Sequence, residues 1–275
     1  MNKHQRFVNS NQFFSCPHCG QVLSIDQASL RCSNRHTFDI AKQGYVNLAP
    51  QAKQSTNYHK QSFENRQAFL EQGYYDHLYQ AIEQVVREKR LTSLLDIGCG
   101  EGFYSRKLAQ DHTRQILAFD ISKESILLAA RADQSKLVKW FVGDLTKLPI
   151  QDHTIDGVLD IFSPANYQEF ARVLKKDGIL IKLVPGPNHL KELRYLAKEQ
   201  LRNESYDNQD IVTHFKSYVE VIEEVLVSRT LPISLHHVQV LADMTPLFFQ
   251  VDQSQLDLSQ LVEITIEGVL LVGKI

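Results

Sequence analysis

No window of this chain approaches the roughly 18 uninterrupted apolar residues that a membrane span requires. With polar residues over 1–10 as well, the expectation is a soluble, unexported, cytoplasmic protein with no membrane partner. Net charge is scarce too, 30 Lys and Arg against 32 Asp and Glu, and a balance of −2 gives no argument for a nucleic-acid partner. Cysteine is scarcer still, with four in 275 residues. That count excludes a disulfide-stapled scaffold, and a chain of this length buries a core without staples.

The distribution of the little that is there says more. Residues 1–60 carry seven bases and two acids, whereas 203–275 carry three bases and eleven acids. A polyanion, if bound, is expected to approach the N-terminal side. Three of the four cysteines lie in "SCPHCGQVLSIDQASLRCSNRH", residues 15–36. Cys16, Cys19, Cys32 and His36 read C-x2-C-x12-C-x3-H, the spacing of a zinc ribbon: two sulfurs share one edge of a tetrahedron and the returning segment closes it. Four protein ligands leave no open position, so the zinc is structural. The intervening segment predicts a β-hairpin with apolar positions at Val22 and Leu30, and His18 is read as a surface residue.

A second informative stretch is "LTSLLDIGCGEGFYSRKLAQDHTRQILAFDIS", residues 91–122. An apolar run ends in Asp96, then Gly98, Gly100 and Gly102 alternate, and helical spacing follows, as at a strand–loop–helix cofactor site. The third glycine falls too early for the dehydrogenase fingerprint. The order D-x-G-x-G-x-G instead resembles the S-adenosylmethionine loop of class I methyltransferases, where Asp96 would stand near the cofactor's ammonium group. Further strands predict Asp120 as acceptor for the ribose hydroxyls, and Asp144 for the adenine amino group with Leu145 packing on the ring. Two more strands end at Phe162–Ser163–Pro164 and at Gly186, and the helix "YQEFARVLKKDG" is predicted to stop at Asp177 and Gly178. Alternation of strand and helix over 93–186 predicts an α/β fold with a doubly wound parallel sheet, completed by an antiparallel pair from "SYVEVIEEVLVSR" and "LVEITIEGVLLVGKI".

The zinc ligands, "HTFDIAKQGYVNLAP", "RQAFLEQGYY", "LDIGCGEGFYS", "VPGPNHLKELR" and "MTPLFF" together make nearly the whole chain resemble the bacterial 23S rRNA (guanine-N1) methyltransferases. The resemblance implies a class I S-adenosylmethionine methyltransferase with a mostly parallel seven-stranded sheet behind a zinc ribbon. It divides the chain into a zinc-binding RNA-recognition module over 1–50, a linker and helix over 51–80, and a methyltransferase domain over 81–275. It also implies that Tyr75, Glu101, Gly102 and His189 contact the cofactor, that the substrate is a 23S rRNA hairpin, and it admits a homodimer. From the residues alone, Tyr75 is equally an aromatic packed on the sheet and His189 a helix N-terminal residue facing solvent. "DIFSPAN" departs from the pattern of a basic residue, aromatic, small residue, Pro and Cys, with Asp160 and Ala165 at its first and last positions. That departure fits the Gram-positive branch, which methylates a neighbouring guanine of the same hairpin.

Methyl transfer from a sulfonium is an in-line displacement, and the proton on guanine N1 must leave. Asp160, beside the methyl site at the end of a strand, is the expected acceptor or orienting group, and Phe162 the expected stacking partner of the base. Lys42, Arg31, Arg35 and Lys53 near the zinc are expected to grip phosphates, so that losing the metal costs RNA binding more than cofactor binding. Two rivals stand beside this reading: a methyltransferase for a small molecule or protein with the ribbon as a docking piece, and a nonenzymatic RNA-binding module.

Overall fold

The structure is a computed structural model that describes residues 4–51, 60–201 and 207–275. Lys53 lies outside the described residues. The N-terminal part holds three short strands, β1 (Ser24–Asp26), β2 (Ser29–Arg31) and β3 (Thr37–Asp39), paired antiparallel in that order. The predicted hairpin is there with its register displaced: Leu30 is fully buried as expected, but Leu23 rather than Val22 supplies the second inward side chain, and Val22 is 43% exposed. A fourth strand, β4 (Tyr45–Asn47), leaves this small sheet altogether.

Two helices then lead to the main sheet, α1 (Lys60–Leu70) and α2 (Asp76–Glu88). They are followed by β5 (Ser93–Ile97), α3 (Phe103–Leu108), β6 (Gln115–Asp120), α4 (Lys123–Ala132) and β7 (Lys139–Val142). Next come β8 (Ile155–Ile161), α5 (Tyr167–Val173), β9 (Leu174–Pro185), α6 (Lys191–Leu196) and α7 (Gln209–Tyr218). The chain closes with β10 (Glu220–Pro232), α8 (Leu235–Met244) and β11 (Glu263–Lys274). The strand order is β10-β11-β9-β8-β5-β6-β7-β4, with β11 antiparallel to both neighbours and the other pairings parallel. Strand order reverses at β5, which puts a crevice beyond the carboxyl ends of β5, β6 and β8. Ser122 caps α4 by accepting the Ser125 N–H at 3.3 Å, as its position in the sequence suggests.

The sheet has eight strands where seven were expected, because β4 of the N-terminal module extends it beside β7, with Tyr45 opposite Trp140 and Asn47 opposite Val142. The boundary expected near residue 50 therefore does not separate two cores. Alternate residues of β5, β6 and β7 face opposite sides. Leu94, Ile116, Ala118 and Trp140 meet α2, α3, α4 and α8 on one side. Leu95, Leu117, Phe119 and Phe141 share a core on the other side with α5, α7 and the ribbon's Phe7, Phe14, Leu23 and Leu30. A further difference concerns "LKKDG". It is strand rather than helix, because the Arg172 and Val173 carbonyls accept from the His153 and Thr154 amides and draw the chain into β9 at Leu174. Among the described residues no helix is long and apolar enough to cross a membrane.

Candidate active site and metal centre

Cys16, Cys19, Cys32 and His36 converge, their ligand atoms all within 4.8 Å of one another. Cys19 and Cys32 sulfurs are 3.8 Å apart, and His36 Nδ1 is 3.5 Å from the sulfurs of Cys16 and Cys32. Zinc bonds of ~2.3 Å to sulfur and ~2.0 Å to nitrogen make tetrahedral edges of about 3.8 Å and about 3.5 Å, so the donor set and its spacing fit zinc. Two tight turns shape the cradle: Gly20, at φ 74°, donates its N–H to the Cys16 carbonyl, and Arg35, at φ 65°, donates to that of Cys32. His18 is exposed and stacks on Phe38 at 5.6 Å, outside the ligand set. Arg31, Arg35 and Lys42 are exposed, whereas Arg6 is buried against Asp133 at 3.5 Å and contributes nothing to the outer surface.

The crevice holds a cavity of about 470 Å³ lined by, among others, Gly98, Gly100, Asp120, Asp144, Leu145 and Phe162. Asp120 ties its walls together: one carboxylate oxygen accepts the Gly100 N–H at 3.0 Å, the other the Ser122 N–H at 2.8 Å. Gly98 and Gly100 both have φ near 57°, which side-chain-bearing residues rarely adopt, and they line the cavity wall directly. Asp144 engages one oxygen with Thr146, leaving the other for a donor in the cavity. Glu101 lines neither cavity; it is buried, accepts Arg66 Nε at 3.0 Å with one oxygen, and its other oxygen has no partner among the described residues. A buried acceptor without a donor calls for one, and an ammonium group such as that of S-adenosylmethionine is a donor of the right kind. Together with the Asp120 and Asp144 acceptors, the residues present fit that cofactor.

A second cavity of about 310 Å³ adjoins the first, with Phe63, Arg66 and Phe162 in the walls of both. Its other walls include Tyr75, His189, Leu190, Arg194, Met244 and Pro246. Phe162 takes φ 53° there, its N–H held by the Leu183 carbonyl at 2.9 Å, and Leu190 takes the same φ at the head of α6. Left-handed backbone in bulky residues is costly and concentrates where a site is shaped. Phe162 stacks on His189 at 5.8 Å and meets Tyr75 edge-on at 6.2 Å. Burial lowers His189 to about 4, so the ring is neutral near pH 7. Its Nδ1 accepts the Glu267 N–H at 3.1 Å, which leaves the proton on Nε2, 3.4 Å from the Tyr75 hydroxyl. Tyr75 is itself pushed up to about 12 by burial.

Four expected site residues line neither cavity: Glu101, and also Asp96, Gly102 and Asp160. Asp96 does not line the cavity; its carboxylate accepts Ser105 Oγ at 2.6 Å and is raised to about 7 by burial. Gly102 heads α3 at φ 81°, where a Cβ would lie 2.4 Å from the Trp140 ring, so packing rather than cofactor approach excludes a side chain. Asp160 is fully buried below the cavity floor, accepting Lys182 Nζ at 2.5 Å and Ser163 Oγ at 2.7 Å. Both oxygens are engaged and the carboxylate lines neither cavity, so it is not positioned to take a proton from a bound base. An Asp160→Asn variant is expected to lose about 3 kcal/mol of stability, because Lys182 is left buried without its counter-charge. Thermal melting should show a drop of several degrees with turnover per folded molecule near wild type; unchanged melting with collapsed turnover would restore a chemical role. Tyr75 and His189 line the second cavity rather than the glycine-loop cavity. Arg66, Phe63 and Arg194 escaped the sequence reading, since helical spacing alone does not say which polar residue faces a crevice.

Comparison with known proteins matches the same two parts. The zinc-ribbon family model described as "RlmA, N-terminal" matches residues 14–56, and the model described as "Methyltransferase domain" matches residues 95–182. The chain is 33% identical over 276 residues to YxjB of Bacillus subtilis, whose name assigns it to the 23S rRNA (guanine-N1) methyltransferases; the match covers 94% of this chain and 96% of that one. It is 32% identical over 191 residues to the 23S rRNA (guanine(748)-N(1))-methyltransferase of Streptomyces fradiae, covering 67% of this chain and 68% of the relative. A Micromonospora griseorubida protein named for the same guanine-N1 activity is 33% identical over 199 residues, covering 65% and 67%.

Proposed function

The chain belongs to the family of 23S rRNA (guanine-N1) methyltransferases, and on that premise we propose that its two joined cavities receive cofactor and target guanine on either side of Phe162. The enzyme methylates N1 of a guanine in 23S rRNA using S-adenosylmethionine, with a structural zinc in its N-terminal ribbon. When bound, the cofactor supplies an electrophilic methyl group on a sulfonium. Asp120 accepts from its ribose and Asp144 from its adenine, with Leu145 against the ring, all three in the cavity wall; Glu101, outside that wall, is assigned its ammonium group through the buried oxygen that has no donor among the described residues. The single observation that carries the arrangement is the shared wall of Phe63, Arg66 and Phe162, which sets the two cavities side by side.

The second cavity suits a purine that has left its stack. Phe162 and Tyr75 offer ring faces, and base–aromatic stacking contributes about 1–3 kcal/mol. Among the described residues its wall carries two guanidiniums, Arg66 and Arg194, and no carboxylate. The N1 proton is therefore lost to water rather than to a carboxylate, with the cations stabilising the negative charge left on the base. His189, neutral and already accepting at Nδ1, fixes the Tyr75 hydroxyl rather than acting as a base.

The reading extends to a guanine of an rRNA hairpin, equivalent to the one for which the Streptomyces fradiae relative is named, and to the cytoplasm, where ribosomal RNA is found. Exposed Ile222, Val225 and Leu226 on the edge strand β10 support a homodimer. Incubation with unmodified 23S rRNA and labelled S-adenosylmethionine, followed by nucleoside mass spectrometry, tests the reading. The expected product is 1-methylguanosine. Label appearing only in protein or small molecules would overturn it in favour of a docking role for the ribbon.

A further inference from the structure

Beyond the crevice, α6 separates two hollows. Leu190 and Arg194 face the second cavity. Lys191 and Tyr195 face an open groove of about 580 Å³ floored by Leu196 and Leu261. Tyr195 is 72% exposed, and Val262 across the groove is 71% exposed. The Lys198 ammonium lies 4.7 Å from the Tyr195 ring centre, and the Lys191 side chain is more than half exposed. The helix that presents them is anchored on both sides. Glu192 accepts from Thr265 through its backbone N–H at 2.9 Å and its hydroxyl at 2.5 Å, and Arg194 donates to the carbonyls of His189 and Pro187.

A lone exposed tyrosine needs no explanation. This one stands on a fixed helix, between two lysines, directly after Arg194, whose side chain lines the proposed guanine cavity. A base extruded into that cavity must bring its neighbours across the rim, where an aromatic face with flanking cations matches a nucleobase with flanking phosphates. We infer that Tyr195 stacks on a nucleotide adjacent to the target guanine while Lys191 and Lys198 hold the phosphates on either side of it. Glu192 and Glu263, also in the groove wall, keep the surface from being uniformly basic; Glu192 lies 4.0 Å from Lys191 Nζ but engages its oxygens with Thr265.

The inference rests on the RNA substrate proposed above, and its test separates the two. A synthetic 23S rRNA hairpin carrying 2-aminopurine beside the target guanine is titrated with the full-length enzyme. Wild type is expected to quench or shift the fluorophore, while Tyr195→Ala should not, and should bind the hairpin about tenfold more weakly with unchanged S-adenosylmethionine affinity and melting temperature. Tyr195→Phe should restore both signals, and Lys198→Ala should lower the slope of log affinity against log salt by about one. If wild type methylates the hairpin while Tyr195→Ala binds it and perturbs the probe equally well, the stacking role is wrong and the function stands. If Tyr195→Phe is as impaired as Tyr195→Ala, stacking is likewise refuted. If wild type neither binds nor methylates the hairpin, the functional reading itself fails.

Discussion

Replacing Asp120 with Ala is expected to weaken S-adenosylmethionine binding by two to three orders of magnitude. Three connections end together. The Gly100 and Ser122 amides lose the acceptor that holds the glycine loop against the β6 turn, and the ribose hydroxyls lose theirs. Hydrogen bonds to a charged group are each worth about 1.5–3 kcal/mol, and buried donors left without a partner cost as much again in part. A combined loss of about 3–4 kcal/mol corresponds to two to three decades of affinity. Isothermal titration of the variant should show it, with the zinc content unchanged; a change of less than about fivefold would mean that the cofactor does not sit against β6.

Removing the zinc is expected to cost cofactor binding as well as RNA binding. The sequence points the other way, toward a separate ribbon that only grips RNA. In the structure the ribbon backbone is joined to the segment after Asp144: Ser15 N–H donates to the Pro149 carbonyl at 3.0 Å and Gln151 N–H to the Phe13 carbonyl at 2.7 Å. Phe14 meets Phe141 edge-on at 5.2 Å, Phe141 stacks on Phe119 at 5.3 Å, and Phe119 lines the cofactor cavity. A structural zinc contributes on the order of 10 kcal/mol to the folding of small ribbons, so this support does not survive its loss. Chelation, or Cys16→Ser, should therefore weaken S-adenosylmethionine at least tenfold and lower the melting temperature. An unchanged cofactor affinity beside reduced RNA affinity would show the ribbon to be independent after all.

What was legible in the sequence is what local spacing encodes. The four zinc ligands are fixed by turns of a few residues, and their spacing alone names them. That Gly98, Gly100, Asp120, Asp144 and Leu145 line one cavity follows from their places at strand ends, because an open parallel sheet has its crevice at the carboxyl edge whatever surrounds it. Asp96, Gly102 and Asp160 sit at equally suggestive strand and loop positions, yet face inward, toward Ser105, Trp140 and Lys182. Only the packing of distant residues decides which way they point. The same holds for β4, three residues whose partner strand lies nearly a hundred positions away. Arg66, Arg194 and Tyr195 belong to helices whose polar faces all look alike until the crevice defines one of them.

The most direct test of the central claim is primer extension on 23S rRNA from cells with and without the gene. A reverse-transcription stop immediately 3′ of one guanine of the 23S rRNA, present with the gene and absent without it, is the expected result. An identical extension profile in both strains, with the protein expressed and zinc-loaded, would contradict it.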